Sequence, residues 1–292
     1  MKKIIAVLTV VCMAALALSA CGNDKKADND NNSISYTYDS TYSFEDASVR
    51  SYNDLCDAII KGESNVRMNM GFIDDVLQMY YTSFPLNAIV ESLTPSAEGI
   101  LTIKYKNEDY SSQVSDFVNK INEIENESDE DDDTAYAIKL YNYIASSVKP
   151  STEGSITCYE TIMTGEGTSF SYSNMFEYLL QQKGIKAYHI LCETESGESK
   201  AISAAELGGE LYYFDIFAEY EDNGGKLLKY FGMTTDDAKT AGIKSMIYTN
   251  KVTAANASDL RFEACRDCEK WEIKSDKLLV AKKGGTIVQV AL

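Results

Sequence analysis

Apolar residues recur at helical spacing in four stretches of this chain. They are Ser51–Lys61 (Leu55, Ala58, Ile59), Val114–Ile124 (Val114, Phe117, Val118, Ile121, Ile124), Thr134–Val148 (Ala137, Leu140, Tyr141, Ile144, Val148) and Ser171–Gln182 (Met175, Phe176, Leu179, Leu180). Ser51 or Asn53 is the candidate cap of the first, Lys149-Pro150 stops the third, and Gly184 ends the last. A shorter helix is predicted over Ser155–Thr164, ending at Gly165-Glu166-Gly167, and Met68–Tyr81 reads as a strand followed by a helix. Strand patterns cover Gly99–Tyr105, Ala187–Glu193, Ser199–Ala205 and Glu210–Ile216, with Gly208-Gly209 as a hairpin turn between the last two. Further short strands are predicted at Met246–Asn250, Lys270–Lys274, Leu278–Ala281 and Thr286–Ala291, the last following the Gly284-Gly285 turn. The acidic run Ser128–Asp133 lacks the glycine and terminal Glu of a calcium loop. It reads as a solvated turn whose last residues cap the next helix and favour its positive N-terminus.

The first residues follow a different pattern. Lys2 and Lys3 precede an apolar run, Ile4–Leu18, that ends in Leu18-Ser19-Ala20-Cys21-Gly22. A charged start, a short apolar stretch and small residues before a break are the marks of a secretory signal peptide. The run is shorter than the roughly 20 residues that span a bilayer. Leu-Ser-Ala-Cys resembles the bacterial lipoprotein box, and the resemblance implies that Cys21 is lipidated and begins the mature chain. Acyl chains contribute about 0.8 kcal/mol per buried CH₂, so several of them hold a protein stably on a membrane. From Gly22 to about Ser35 the sequence has no apolar periodicity and reads as a flexible tether, roughly 20 Å in root-mean-square reach. The expected location is therefore the extracytoplasmic face of the cell membrane, with the lipid as the membrane contact.

Charge and histidine content narrow the chemistry. With 27 Lys+Arg against 45 Asp+Glu, the formal net charge of -18 repels phosphate backbones, and no nucleic-acid partner is expected. The 292 residues contain a single histidine, His189, which removes every mechanism that needs two imidazoles. A Cys265-Arg266-Asp267-Cys268 motif is present, but neither a second such pair nor spare histidines exist to complete a zinc site, so neither metal nor cofactor is expected. The residues after the motif alternate like a strand, whereas a redox pair is normally poised at a helix N-terminus. A structural or incidental pair, a local disulfide included, is the expectation. Apart from Cys12 in the leader and Cys21 at the lipid site five cysteines remain (Cys56, Cys158, Cys192, Cys265 and Cys268), an odd number that leaves at least one thiol unpaired if all others bridge.

The stretch Gly165-Glu166-Gly167-Thr168-Ser169-Phe170-Ser171-Tyr172, continued by Phe176, Leu179-Leu180 and Gly184-Ile185, resembles the transglutaminase-like domain of bacterial surface proteins. So do the hairpin into Leu211-Tyr212-Tyr213-Phe214-Asp215 and the segment Tyr230-Phe231-Gly232-Met233-Thr234. The resemblance covers roughly residues 134–240. It implies a papain-like α+β core, with helices packed on an antiparallel sheet, and a Cys–His–Asp triad. In such a triad a thiolate at a helix N-terminus is activated by an imidazole that the Asp orients.

Position by position the resemblance places Ser169 at the nucleophile, Lys200 at the imidazole and Asp215 at the orienting carboxylate. Two of the three residue types are therefore substituted. His189 lies in the preceding strand, and a period of two prevents it from sliding to position 200 without moving that strand's apolar set. The sequence thus reads as a catalytically inactive transglutaminase-like domain acting as a binding or scaffolding module for peptide, glycan or surface protein. The alternative is a Ser169-dependent hydrolase of peptide or cell-wall material, with Lys200 as base and Asp215 beside it. That chemistry needs a lysine buried enough to lose its proton, and a neighbouring carboxylate opposes this. An ion pair of Lys200 with Asp215 is the competing structural reading. Among the 20 tyrosines, Tyr172, Tyr212 and Tyr213 are candidate walls of a vestigial cleft. The expected organisation is a signal peptide (1–20), a tether (21–35), an α+β region (36–127), the transglutaminase-like domain (134–243) and a small β extension (244–292).

Overall fold

The computed structural model describes residues 46–151, 157–248 and 257–292. The signal peptide, Cys21 and the tether lie outside the described residues. The chain divides into two units, one ending at Asn122 and one running from Glu123 to Leu292.

The first unit is built on α1 (Asp46–Lys61), α2 (Ile73–Ser83) and a three-stranded antiparallel sheet of β1 (Asn65–Arg67), β2 (Val90–Pro95) and β3 (Ile100–Tyr105), in the order β1-β3-β2. Helix α1 begins earlier than the periodicity suggests, because Ser48 and Tyr52 continue its buried stripe through Leu55, Cys56 and Ile59. The caps expected at Ser51 or Asn53 are therefore interior helical positions. Strand β2 was not legible in the sequence. Its burial pattern exposes Glu91 and Ser92 in succession, with a register shift at that point, so the alternation that marks a strand is broken.

Helix α3 (Tyr110–Ser128) leads into the second unit. There α4 (Asp133–Ser147) is capped by the Asp132 carboxylate, which accepts from the Ala135 N–H at 2.9 Å, as the acidic turn implied. A two-residue parallel ladder of β4 (Lys149–Pro150) with β5 (Glu166–Gly167) brackets α5 (Cys158–Thr164). Helix α6 (Ser169–Gln182) then packs on a four-stranded antiparallel sheet. Its strands are β6 (Ala187–Thr194), β7 (Ser199–Leu207), β8 (Glu210–Phe214) and β9 (Ile243–Tyr248), in the order β8-β7-β6-β9. Two helices were not anticipated, α7 (Ile216–Asn223) and α8 (Thr235–Thr240), both too short to display a periodic stripe. The fold is α+β, with helices on an antiparallel sheet.

One boundary is shifted. Residues 244–248, expected in the C-terminal extension, continue the strand begun at Ile243 and belong to the central sheet, whose strand β6 they pair with. What remains of that extension is a separate antiparallel sheet of β10 (Cys268–Ile273), β11 (Lys277–Lys282) and β12 (Ile287–Ala291).

The core of the second unit is a chain of mutually tilted aromatic rings. Phe176 on α6 lies 5.2 Å from Phe214 on β8, Phe214 lies 5.0 Å from Phe231, and Phe231 lies 5.1 Å from Phe262 (ring centroids). Beneath them the Tyr141 hydroxyl donates to the fully buried Glu219 at 2.7 Å. The Tyr230 N–H and the Asn223 amide donate to the same carboxylate. A buried carboxylate left without such donors would be strongly destabilising, so this set ties α4, α7 and the loop after α7 into one arrangement.

Two glycines with the same φ of 71° give a matched test of close packing. Gly165 caps α5 in open space, whereas a Cβ on Gly225 would fall 2.1 Å from the Ala145 carbonyl oxygen. Gly165→Ala is expected to cost only the left-handed backbone penalty, about 1–2 kcal/mol. Gly225→Ala is expected to cost more than this, because backbone must move, and denaturant midpoints of the two variants give the comparison.

Candidate functional site

The segment singled out by the sequence forms the turn into α6. Gly165 adopts the left-handed conformation that ends α5. Gly167 is required for a different reason: a Cβ there would sit 2.3 Å from the Ser171 hydroxyl. That hydroxyl accepts from the Thr168 N–H at 2.8 Å and so satisfies an amide at the helix start. Ser169 is the first residue of α6, the position that a helix-activated nucleophile occupies. It is 8% exposed, and its Oγ accepts from the Ala201 N–H of β7 at 3.3 Å.

Lys200 and Asp215 form an ion pair at 2.5 Å, with side-chain exposures of 19% and 1%. The two oxygens of Asp215 have separate tasks: Oδ2 takes Lys200, and Oδ1 accepts from the Ala218 N–H at 3.0 Å as the cap of α7. The structure therefore brings two of the three expected positions into contact and sets the third against the neighbouring residue of β7. Among the described residues Ser169 makes no hydrogen bond to Lys200 or Asp215. The pleat explains the separation. His189 and Ser203, paired across β6 and β7, both reach Ser173 on α6, so their side chains lie on the helix-facing side of the sheet. Lys200 is three residues from Ser203 and rises from the opposite side, together with its cross-strand partner Cys192. Burial, followed by the Asp215 charge, pushes the Cys192 thiol up to about 12, so it stays protonated.

His189 is on the helix side, as strand alternation required, with Nδ1 2.9 Å from the Ser173 Oγ. Ser173 and Ser203 are also hydrogen bonded, at 3.0 Å, and Ser173 donates to the Ile202 carbonyl at 2.7 Å. Burial lowers the imidazole to about 4, so it is neutral near physiological pH. Sequence reasoning kept His189 away from position 200 but missed this polar cluster. The signal was present, because Ser173 stands one helical turn after Ser169 and therefore faces the same sheet.

The three tyrosines proposed as cleft walls are interior residues, each 1% exposed. Tyr172 donates to the Val148 carbonyl beside the β4–β5 ladder, and its ring meets Phe217 edge-on at 5.4 Å. The Tyr212 hydroxyl donates to Asp259 at 2.6 Å, and Tyr213 pairs through its backbone with Met233. Aromatic bulk and a polar tip suit an interior position next to backbone as well as they suit a groove, and here the interior is realised. The cysteines Cys56, Cys158, Cys192, Cys265 and Cys268 are free and buried, so the local disulfide entertained for Cys265–Cys268 is not formed. Among the described residues no helix is long and apolar enough to cross a membrane.

No family model matches the sequence, and no curated protein does. Solved structures with partial likeness include a proposed cysteine protease from Cytophaga hutchinsonii, at 13% identity over 35% of this chain and 42% of that one, with a TM-score of 0.30. A TGase structure is similar at 13% identity over 52% of this chain and 48% of that one, with a TM-score of 0.31. A proposed protease from Parabacteroides distasonis is similar at 9% identity over 68% and 34%, with a TM-score of 0.28. The chain spans less than half the length of each of these structures.

The partly buried imidazole makes stability depend on pH with a defined sign. Its folded value near 4 lies below the ordinary unfolded value of about 6.5, so the unfolded chain takes up the extra proton between those limits. The His189 contribution is expected to be complete above pH 6.5 and lost as the pH falls towards 4, about 3 kcal/mol in all. The stability difference between wild type and His189→Asn should change by about that amount between pH 6.5 and 4, the wild type losing stability as the pH falls, and should stay constant above pH 7.

Proposed function

We propose that the chain is a lipid-anchored, extracytoplasmic protein in which a transglutaminase-like domain has given up its chemistry and serves as a binding or scaffolding module for peptide, glycan or surface protein. The observation that carries the reading is the Lys200–Asp215 ion pair at 2.5 Å. A base for Ser169 must be unprotonated and within reach of the hydroxyl. Lys200 is held instead by the Asp215 carboxylate, and the Ser169 hydroxyl accepts a backbone N–H. The only imidazole of the chain is engaged with Ser173. Anchoring rests on the Leu18-Ser19-Ala20-Cys21 box and the tether that follows it.

The competing hydrolase reading is separated by activity-based labelling. The full chain is expected to take up no fluorophosphonate at Ser169, with the same background in Ser169→Ala. Labelling that disappears in Ser169→Ala establishes the hydrolase in its place. For the anchor, cells fed an alkyne-tagged fatty acid are expected to label the wild type, and Cys21→Ser is expected to lose both the label and the membrane fraction.

A further inference from the structure

The C-terminal sheet has one edge that neither the central sheet nor the Ser169 region uses. Strand β12 pairs with β11 on one side only. The Thr286 carbonyl accepts from Lys282, and the Leu292 N–H donates to Asp276, so even-numbered residues of the strand turn their backbone towards β11. Ile287, Gln289 and Ala291 therefore turn theirs outward. Arg261 takes one of these groups, donating from Nε and Nη2 to the Ala291 carbonyl at 2.9 and 2.7 Å. Among the described residues the outward N–H and C=O of Ile287 and Gln289 have no partner. Such an edge is a template for a further strand.

The side chains around this edge define what the strand would carry. A groove of about 430 Å³ runs along one face, lined by Leu260, Arg261, Glu263, Lys282, Val288 and Val290 among others. Leu260 beside it and Ile287 at the start of β12 are each 62% exposed, unusual for apolar residues at such a place. On the other face Lys277 directs its ammonium to the neutral amide of Gln289 at 3.1 Å, which leaves that charge uncompensated by the contact. Lys282 is balanced by Asp267 at 3.2 Å. The surroundings differ from the rest of the chain: residues 257–292 hold seven Lys and Arg against six Asp and Glu, within a protein of net charge -18. An acidic segment therefore meets no net repulsion from this region, unlike from the chain taken as a whole.

We propose that β12 is a docking edge for an extended peptide in which apolar and acidic residues alternate. Its apolar side chains enter the groove beside Leu260, Val288 and Val290, its acidic ones lie on the face of Lys277, and its backbone pairs with Ile287 and Gln289. Arg261 ends the pairing at Ala291 and so fixes where the peptide stops. This surface is separate from Ser169, and its fate does not decide the reading of that residue.

The test uses the full chain and fluorescein-labelled Glu-Val-Glu-Val-Glu-Val-amide, read by anisotropy. Saturable binding is expected. N-methylation of the peptide at alternate residues should weaken it by about tenfold or more in one of the two registers, because it removes the hydrogen bonds that a strand pairing requires. The Lys-Val counterpart should bind about tenfold more weakly, and Gln289→Pro, acceptable at a sheet edge, should abolish binding while the thermal transition persists. Three results would overturn the proposal: no saturable binding of the acidic peptide, equal binding of the lysine peptide, or indifference to N-methylation in both registers. A concentration-dependent dimer that Gln289→Pro dissolves would also overturn it, because the occupant of the edge would then be a second copy of the chain.

Discussion

The Asp215 carboxylate is the point on which the second unit turns. It is almost wholly buried, so each of its oxygens must be answered. One caps α7 through the Ala218 N–H and the other holds the Lys200 ammonium on β7. The Asp215 backbone is also engaged, its N–H donating to Tyr230 and its carbonyl accepting from the Tyr141 hydroxyl. The end of β8, the start of α7, the inner strand β7 and helix α4 therefore meet at one residue. The resemblance seen in the sequence assigns this residue the task of orienting an imidazole. In this chain it orients a lysine and a helix.

The engagement of Lys200 with Asp215 also bears on the surroundings of Ser169. A serine at a helix N-terminus has favourable dipoles but no ionisable proton near neutral pH, so without a base it is a packing and hydrogen-bonding residue. Its hydroxyl joins α6 to the Ala201 amide, one residue from the lysine but on a differently directed part of the strand. His189, which could have supplied the base by composition, is held one turn further along α6 in a buried cluster with Ser173 and Ser203. Burial also keeps it uncharged. The turn needs both its glycines for local reasons: Gly165 takes a positive φ, and Gly167 has no room for a side chain.

Much of this was legible in the residues because it rests on local periodicity. Helices α4 and α6 announce themselves by apolar stripes, and β6, β7 and β8 by alternation and the Gly208-Gly209 turn. The pairing of Lys200 with Asp215 followed from counting through that hairpin. What was missed depends on tertiary partners. Helix α7 has eight residues and is specified by the Asp215 cap more than by its own sequence. The strand at 243–248 could not be assigned to the central sheet, since antiparallel pairing across about fifty residues leaves no local mark. The tyrosines misled for a physical reason: an aromatic ring with a hydroxyl fits a ligand groove and a core next to backbone carbonyls equally well, and Tyr172 and Tyr212 take the second option.

The claim most open to direct measurement is that Lys200 is the structural partner of Asp215. A double-mutant cycle of Lys200→Met and Asp215→Asn, read by chemical denaturation near neutral pH, isolates their interaction from the loss of each side chain. Asn keeps an acceptor for the Ala218 N–H, so the helix cap survives. Removal of the lysine alone leaves a carboxylate buried without its counter-charge and is expected to cost about 2–4 kcal/mol. The double variant is expected to recover part of this, with a coupling energy above about 1 kcal/mol. Single costs that simply add, with coupling below about 0.3 kcal/mol, would contradict the account and return Lys200 to the list of residues free to act on Ser169.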